Sequence, residues 1–162
     1  MIYLDYQATT PLAPEARDAM MHWLDGPDGD GFANPAAQYR AGRQAAVAVE
    51  MARDAVAALF PKGGQVVFTS GATEALNWAI LIGDRERGKG ALGTAIEHPA
   101  SLQCLEKIGA GIIPVDGDGL VAATPDVDAI PEGGVLAMML VNNEVGTIQP
   151  VEDYADAARA KG

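Results

Sequence analysis

Val135-Leu136-Ala137-Met138-Met139-Leu140-Val141 is the longest strongly apolar run in the chain, seven residues without a polar break. A strand with apolar side chains on both faces needs cover on both, which a parallel sheet flanked by helices supplies. The segments Val66–Thr69, Gly90–Ala95 and Gly111–Val115 read as further short strands, with sequence of helical character between the first and second and between the second and third. Strands alternating with helices predict an α/β fold: a doubly wound, mostly parallel sheet with helices on both faces and right-handed crossovers. The same run is far too short to span a bilayer as a helix.

The helices are expected at 14–24, 43–60, 73–82, 99–107 and 151–160. Pro14-Glu15 places a proline and an acid where helix starts favour them. In the second helix Val47, Met51, Ala55, Val56 and Leu59 recur at helical spacing, and Pro61-Lys62-Gly63-Gly64 stops it. Asp25 to Asn34 is rich in Gly, Asp and Pro and reads as a loop ended by Asn34-Pro35. Asp116-Gly117-Asp118-Gly119 is a turn, and Ala129–Glu132 a short connection.

With 162 residues, 49% of them hydrophobic and 20% charged, the chain has the balance of an ordinary globular domain. A formal net charge of −11 argues against nucleic acid or an anionic membrane surface as partner. The first residues, Met1-Ile2-Tyr3-Leu4-Asp5, lack the basic and apolar regions of a secretory signal. A single cysteine, Cys104, excludes an internal disulfide framework and fits a reducing, cytoplasmic setting.

Ligands of such sheets lie beyond the carboxyl ends of the strands, where three polar turns fall here. The first is Ser70-Gly71-Ala72-Thr73. A strand entering a helix through small residues aims unbonded N–H groups and the positive end of the helix dipole at one point, which suits a phosphate. It is also compatible with a plain strand-to-helix turn capped by threonine. The Gly-Lys-[Ser/Thr] ending of a P-loop and the Gly-x-Gly-x-x-Gly of a dinucleotide fold are both missing.

The second turn carries Glu97-His98. His98 is either structural or placed for proton transfer or for stacking on a flat ring. In the third, Asn142 and Asn143 have side-chain amides able to bond a ligand oxygen, against the alternative of an Asx turn. Glu144 has a structural reading. His22 reads as packing or surface, and Cys104 as a buried, inert thiol. Lys62, Lys89, Lys107 and Lys161 fall in loops or at helix ends, and none reads as a Schiff-base lysine. No metal site is expected.

Tyr3-Leu4-Asp5-Tyr6-Gln7-Ala8-Thr9-Thr10-Pro11, Asn34-Pro35, Gly42-Arg43, Phe68-Thr69-Ser70-Gly71-Ala72-Thr73-Glu74, Glu97-His98 and Asn142-Asn143-Glu144-Val145-Gly146-Thr147-Ile148-Gln149-Pro150 resemble, in order and spacing, the cysteine desulfurases of the class V aminotransferase family. The resemblance implies pyridoxal 5'-phosphate (PLP) as cofactor and the large domain of a fold-type I PLP enzyme, incomplete here. It places residues 1–14 as an extended segment near the active site and 15–162 as the first part of the PLP-binding domain. Ala72 and Thr73 would hold the cofactor phosphate. His98 would stack on the pyridine ring and shuttle protons, and Asn143 would bond the phenolic oxygen or the substrate carboxylate.

The implied reaction removes sulfur from L-cysteine, leaving L-alanine and an enzyme persulfide. Its implied setting is a homodimer that passes sulfur to an acceptor protein, as in iron–sulfur cluster assembly. Where the family places Ser and His after Asn-Pro, this chain has Ala36-Ala37-Gln38-Tyr39. The family's cofactor-bearing lysine, ring-nitrogen aspartate, nearby glutamine, carboxylate-binding arginine and mobile-loop cysteine belong to segments expected after Gly162. The chain alone is therefore expected to be inactive. Alternatives are another class V enzyme, such as a selenocysteine lyase, and a non-catalytic binding module.

Overall fold

The computed structural model describes residues 2–6, 9–26, 31–61, 64–83 and 88–162. The chain divides into two compact units, one ending at Phe68 and the other running from Thr69 to Gly162.

In the first unit, residues 2–6 and 9–13 form no helix or strand. Helix α1 covers Pro14–Leu24, as expected, and buries none of its residues. Helix α2 covers Arg40–Ala57 rather than the expected 43–60. Its start is set by the Asn34 turn, whose side-chain and main-chain oxygens accept the N–H groups of Ala36 and Ala37, both at 2.9 Å. Its end is set by a switch to the tighter i→i−3 bonds of Leu59 to Val56 and Phe60 to Ala57. Gly42 lets α2 pass close to that turn: a Cβ there would lie 2.3 Å from the Ala37 carbonyl oxygen. The repeat at Val47, Met51 and Leu59 is exposed, and the buried positions are Gly42 and Ala45.

The strand expected at Val66–Thr69 makes no ladder among the described residues. A strand exists only with a partner for its main-chain groups, and here the Val66 carbonyl accepts from the Arg53 guanidinium instead. Arg53 also lies over the Phe68 ring, 5.0 Å from its centre, a cation–π contact. That segment is held by a side chain from α2, not by the sheet.

The second unit carries the sheet. Strands β1 (Ala91–Thr94), β2 (Gly111–Ile113) and β3 (Val135–Ala137) run parallel in the order β2-β1-β3. Leu92 faces Gly111 across one pair and Leu136 across the other. Helix α3 (Ala72–Asn77) continues into a π-helical turn over Trp78–Ile82, so the expected helix at 73–82 is present in two windings. Helices α4 (Pro99–Lys107) and α5 (Val151–Ala160) match their expected bounds.

The apolar run is divided. Only Val135–Ala137 joins the parallel sheet, half-buried at its edge. Leu140 and Val141 instead fold back: Gln149 N–H donates to Leu140 O, Asn142 N–H to Thr147 O, and Val141 bridges Ile148 in antiparallel sense. Gly146, with φ of 76°, makes the reversal at a backbone angle that side chains disfavour.

The core comprises Ile80, Ala91, Cys104 and Leu105, with Leu81, Ile108 and Val135 packed on it. Burial of side chains the size of Ile80 and Leu105 stabilises by roughly 2–3 kcal/mol each. The Cys104 thiol is buried in this cluster. His22 instead sits edge-on to Trp23, ring centres 4.8 Å apart, on α1.

Candidate active site

Because β1 and β3 run parallel, the turns that leave them emerge at one edge of the sheet. There Ala95, Ile96, Glu97, His98 and Pro99 from one turn and Asn142, Asn143, Glu144 and Val145 from the other line a cavity of about 310 Å³. Residues separated by more than forty positions in sequence thus share a site (98 against 142).

His98 is the N-cap of α4. Its Nδ1 accepts the Ala100 N–H at 3.1 Å, and its carbonyl accepts those of Ser101 and Leu102. With Nδ1 an acceptor, the neutral ring carries its proton on Nε2. The ring is exposed and has no further partner among the described residues.

Asn142 and Asn143 have different duties. Asn142 is buried, and its amide is fully engaged: Nδ2 donates to Ile96 O at 3.0 Å, and Oδ1 accepts the N–H groups of Glu144 and Val145, both at 2.9 Å. That is the Asx-turn reading of this residue. Half-buried Asn143 makes no side-chain hydrogen bond among the described residues. Its amide is available to a ligand. Glu97 is buried, with Oε1 accepting from Thr94 Oγ1 at 2.8 Å and from Met139 N–H at 2.7 Å.

Ala72 and Thr73 lie in the first turn of α3 and do not line the His98 cavity. α3 packs beside α4, the helix that His98 caps. The first bond of α3 runs from Ala75 N–H to Gly71 O, so the Ala72 and Thr73 N–H groups have no main-chain acceptor among the described residues. Both residues are exposed. Gly71 is extended (φ 163°), and a Cβ there would meet nothing within 4 Å. Its absence of side chain answers no local strain.

Glu74 caps this turn, Oε2 accepting both Ser70 Oγ and Ser70 N–H at 2.6 Å. The Ser70 hydroxyl and then its N–H hold the Glu74 carboxyl below the ordinary carboxylate range, against a desolvation effect that raises it. A folded-state pKa below the unfolded one adds stability above the unfolded value, lost as pH falls through the folded one. Glu74→Gln is therefore expected to lower the thermal midpoint at neutral pH, with the gap from the parent closing below about pH 4. Parallel melts from about pH 3 to 7 check this. A gap that persists in acid refutes the ionised-cap account.

The sequence profile of the aminotransferase class-V family matches residues 2–162. The chain belongs to that family. Curated relatives include the cysteine desulfurase IscS of Methanosarcina thermophila, 35% identical over 168 residues, covering 98% of this chain and 41% of that protein. The cysteine desulfurase IscS of Dictyoglomus turgidum is 37% identical, with 98% and 42% covered. The solved structure of a NifS-like protein superposes with a TM-score of 0.80 at 30% identity, over 99% of this chain and 46% of the other. That of DndA from Streptomyces lividans gives 0.72 at 31% identity, over 98% and 46%. The chain thus spans less than half the length of these relatives.

As a class-V aminotransferase family member it has the fold of the fold-type I PLP enzymes, a family whose cofactor is PLP. Sequence reasoning singled out His98 and both asparagines but not the buried roles of Glu97 and Gln149. Gln149 accepts Val121 N–H at 3.1 Å and donates to Gly119 O at 2.8 Å, fixing the loop after the reversal. The signal was a polar residue between apolar neighbours, which one sequence does not distinguish from an exposed one. Among the described residues no cluster of His, Cys, Asp or Glu can hold a metal ion, and no helix is long and apolar enough to cross a membrane.

Proposed function

We propose that this chain supplies the cofactor-binding part of a PLP-dependent cysteine desulfurase, which takes sulfur from L-cysteine and leaves L-alanine and an enzyme persulfide. The observation that carries the reading is the cavity shared by His98 and Asn143 beyond the carboxyl ends of two parallel strands. The names of the curated relatives give the chemistry its direction.

The donor set suits the cofactor. The unbonded N–H groups of Ala72 and Thr73, with the Thr73 hydroxyl, bind its phosphate. His98 stacks on its ring, oriented by the Ala100 bond, and holds or moves a proton at Nε2. Asn143 donates its free amide to the phenolic oxygen or the substrate carboxylate. When bound, PLP supplies a ring that accepts the electron pair released at the substrate's α-carbon.

Of the described lysines, Lys89, Lys107 and Lys161, none lines the His98 cavity, and Cys104 is buried in the core. The proposal takes the cofactor-bearing lysine and the sulfur-accepting thiolate from elsewhere in the complete gene product. The proposal includes a homodimer, cytoplasmic placement, sulfur transfer to an acceptor protein and a role in iron–sulfur cluster assembly.

The test is the complete gene product loaded with PLP and given L-cysteine and a thiol reductant. Alanine and sulfide are expected in equal amounts. PLP retention without alanine moves the assignment to another class-V reaction, and failure to bind PLP removes it.

A further inference from the structure

The two turns that meet at the His98 cavity are loops, and loops move unless something fixes them. The parallel ladder does not join the two turns to each other: β1 ends at Thr94 and β3 at Ala137, and the Ala95 N–H just past β1 bonds Ile113 O of β2 instead. What joins them is a buried polar cluster. Glu97 Oε1 accepts Thr94 Oγ1 from the end of β1 and Met139 N–H from the segment after β3. Asn142 Nδ2 adds a second tie, donating to Ile96 O.

Thr94, Glu97 and Asn142 are 0%, 8% and 7% exposed, so the cluster sits out of water. There each hydrogen bond is costly to leave unmade. Both ties run from donors on the 139–142 segment to acceptors on the His98 turn, Met139 to Glu97 and Asn142 to Ile96, at two separate points. Two such links restrain sliding as well as separation. The residues next to the anchors, His98 and Asn143, have groups left for a ligand.

We propose that Glu97 is a positioning residue: its carboxylate, with the Asn142 amide, locks the His98 turn to the Asn143 turn and so sets the distance between the two ligand-facing groups. For its effect on catalysis the inference rests on the desulfurase reading; for its effect on the turns it does not. The carboxylate acts here as a two-bond acceptor, not as a charge for a substrate. A side chain of similar size without an acceptor removes the lock, and one that keeps an acceptor oxygen retains it.

The experiment uses the complete gene product with PLP and reads two quantities. One is amide hydrogen exchange, by mass spectrometry, over residues 95–98 and 139–145. The other is kcat for alanine formation from L-cysteine. Glu97→Leu is expected to speed exchange in both segments together by about tenfold, one lost buried bond's worth, while α5 is unchanged. Its kcat is expected to fall roughly 100-fold, the scale of a small misplacement of reacting groups. Glu97→Gln is expected to stay within about threefold on both counts, since its amide oxygen still accepts two bonds.

Faster exchange in one segment only, or equal damage from Gln and Leu, overturns the proposal. So does a Leu variant with parental exchange. If Glu97→Leu does not fold, Thr94→Val removes one donor at nearly constant shape. Paired acceleration of the two segments then supports the lock, and none refutes it. Should the parent bind no PLP, the exchange readout still decides the lock, while the desulfurase reading alone falls.

Discussion

Replacing His98 by alanine in the complete, PLP-loaded gene product is expected to lower kcat for alanine formation by about 10²- to 10⁴-fold, the usual worth of a positioned proton-transfer group. The side chain has two separable duties. One is structural: Nδ1 accepts the Ala100 N–H and caps α4. Loss of an N-cap acceptor costs roughly 1 kcal/mol of stability. The other is chemical, through the exposed ring face and Nε2. His98→Asn divides them, because asparagine is a good cap but has no ring and no titrating nitrogen.

The alanine variant should therefore lose both activity and some thermal stability, and the asparagine variant activity alone. Activity of His98→Asn within about threefold of the parent would reduce His98 to a helix cap and remove it from the chemistry. PLP absorbance measured on the same samples separates lost turnover from lost cofactor. The stacked ring predicts weaker PLP retention in both variants.

The helices were the most legible part of the chain. Pro14 and Pro99 mark two starts to the residue, because a proline at the first turn loses nothing. The strands were less so, since apolarity signals burial but not pairing. Val66–Phe68 has the composition of a strand, and its main chain is claimed by Arg53, thirteen residues upstream of Val66. In Val135–Val141 the composition is continuous, while the pairing changes from parallel to antiparallel part-way, driven by the reversal at Gly146 beyond the run.

At the site, the turn chemistry of Asn142 and the strand-end position of His98 were visible from sequence. The division of labour between Asn142 and Asn143 was not. Both are the same residue type, and only the fold determines which amide faces Ile96 O. Glu97 was hidden for the same reason, since its partner Met139 contributes a main-chain N–H, which every residue but proline has.

The packing beneath the site depends on a match that sequence reading also passed over. Gly93 in β1 is buried, and a Cβ there would lie 2.2 Å from Leu105 Cδ1. Leu105, itself 0% exposed, fills the space a side chain at position 93 would take. Leu105→Ala is therefore expected to cost about 3–5 kcal/mol, the upper part of the range for such truncations. Gly93, which faces it from β1, has no side chain to relax into the void. Urea unfolding midpoints at constant slope measure this.

Gly93→Ala alone should cost about 1–3 kcal/mol by overpacking, since the clash is with a side-chain methyl able to give way. In the double variant the new methyl at position 93 occupies part of the space vacated at position 105. The combined cost should then fall below the sum of the single costs by about 1 kcal/mol or more, the signature of residues in contact. Strict additivity would mean that the two positions do not share that space, and the close approach of α4 to β1 would need another cause.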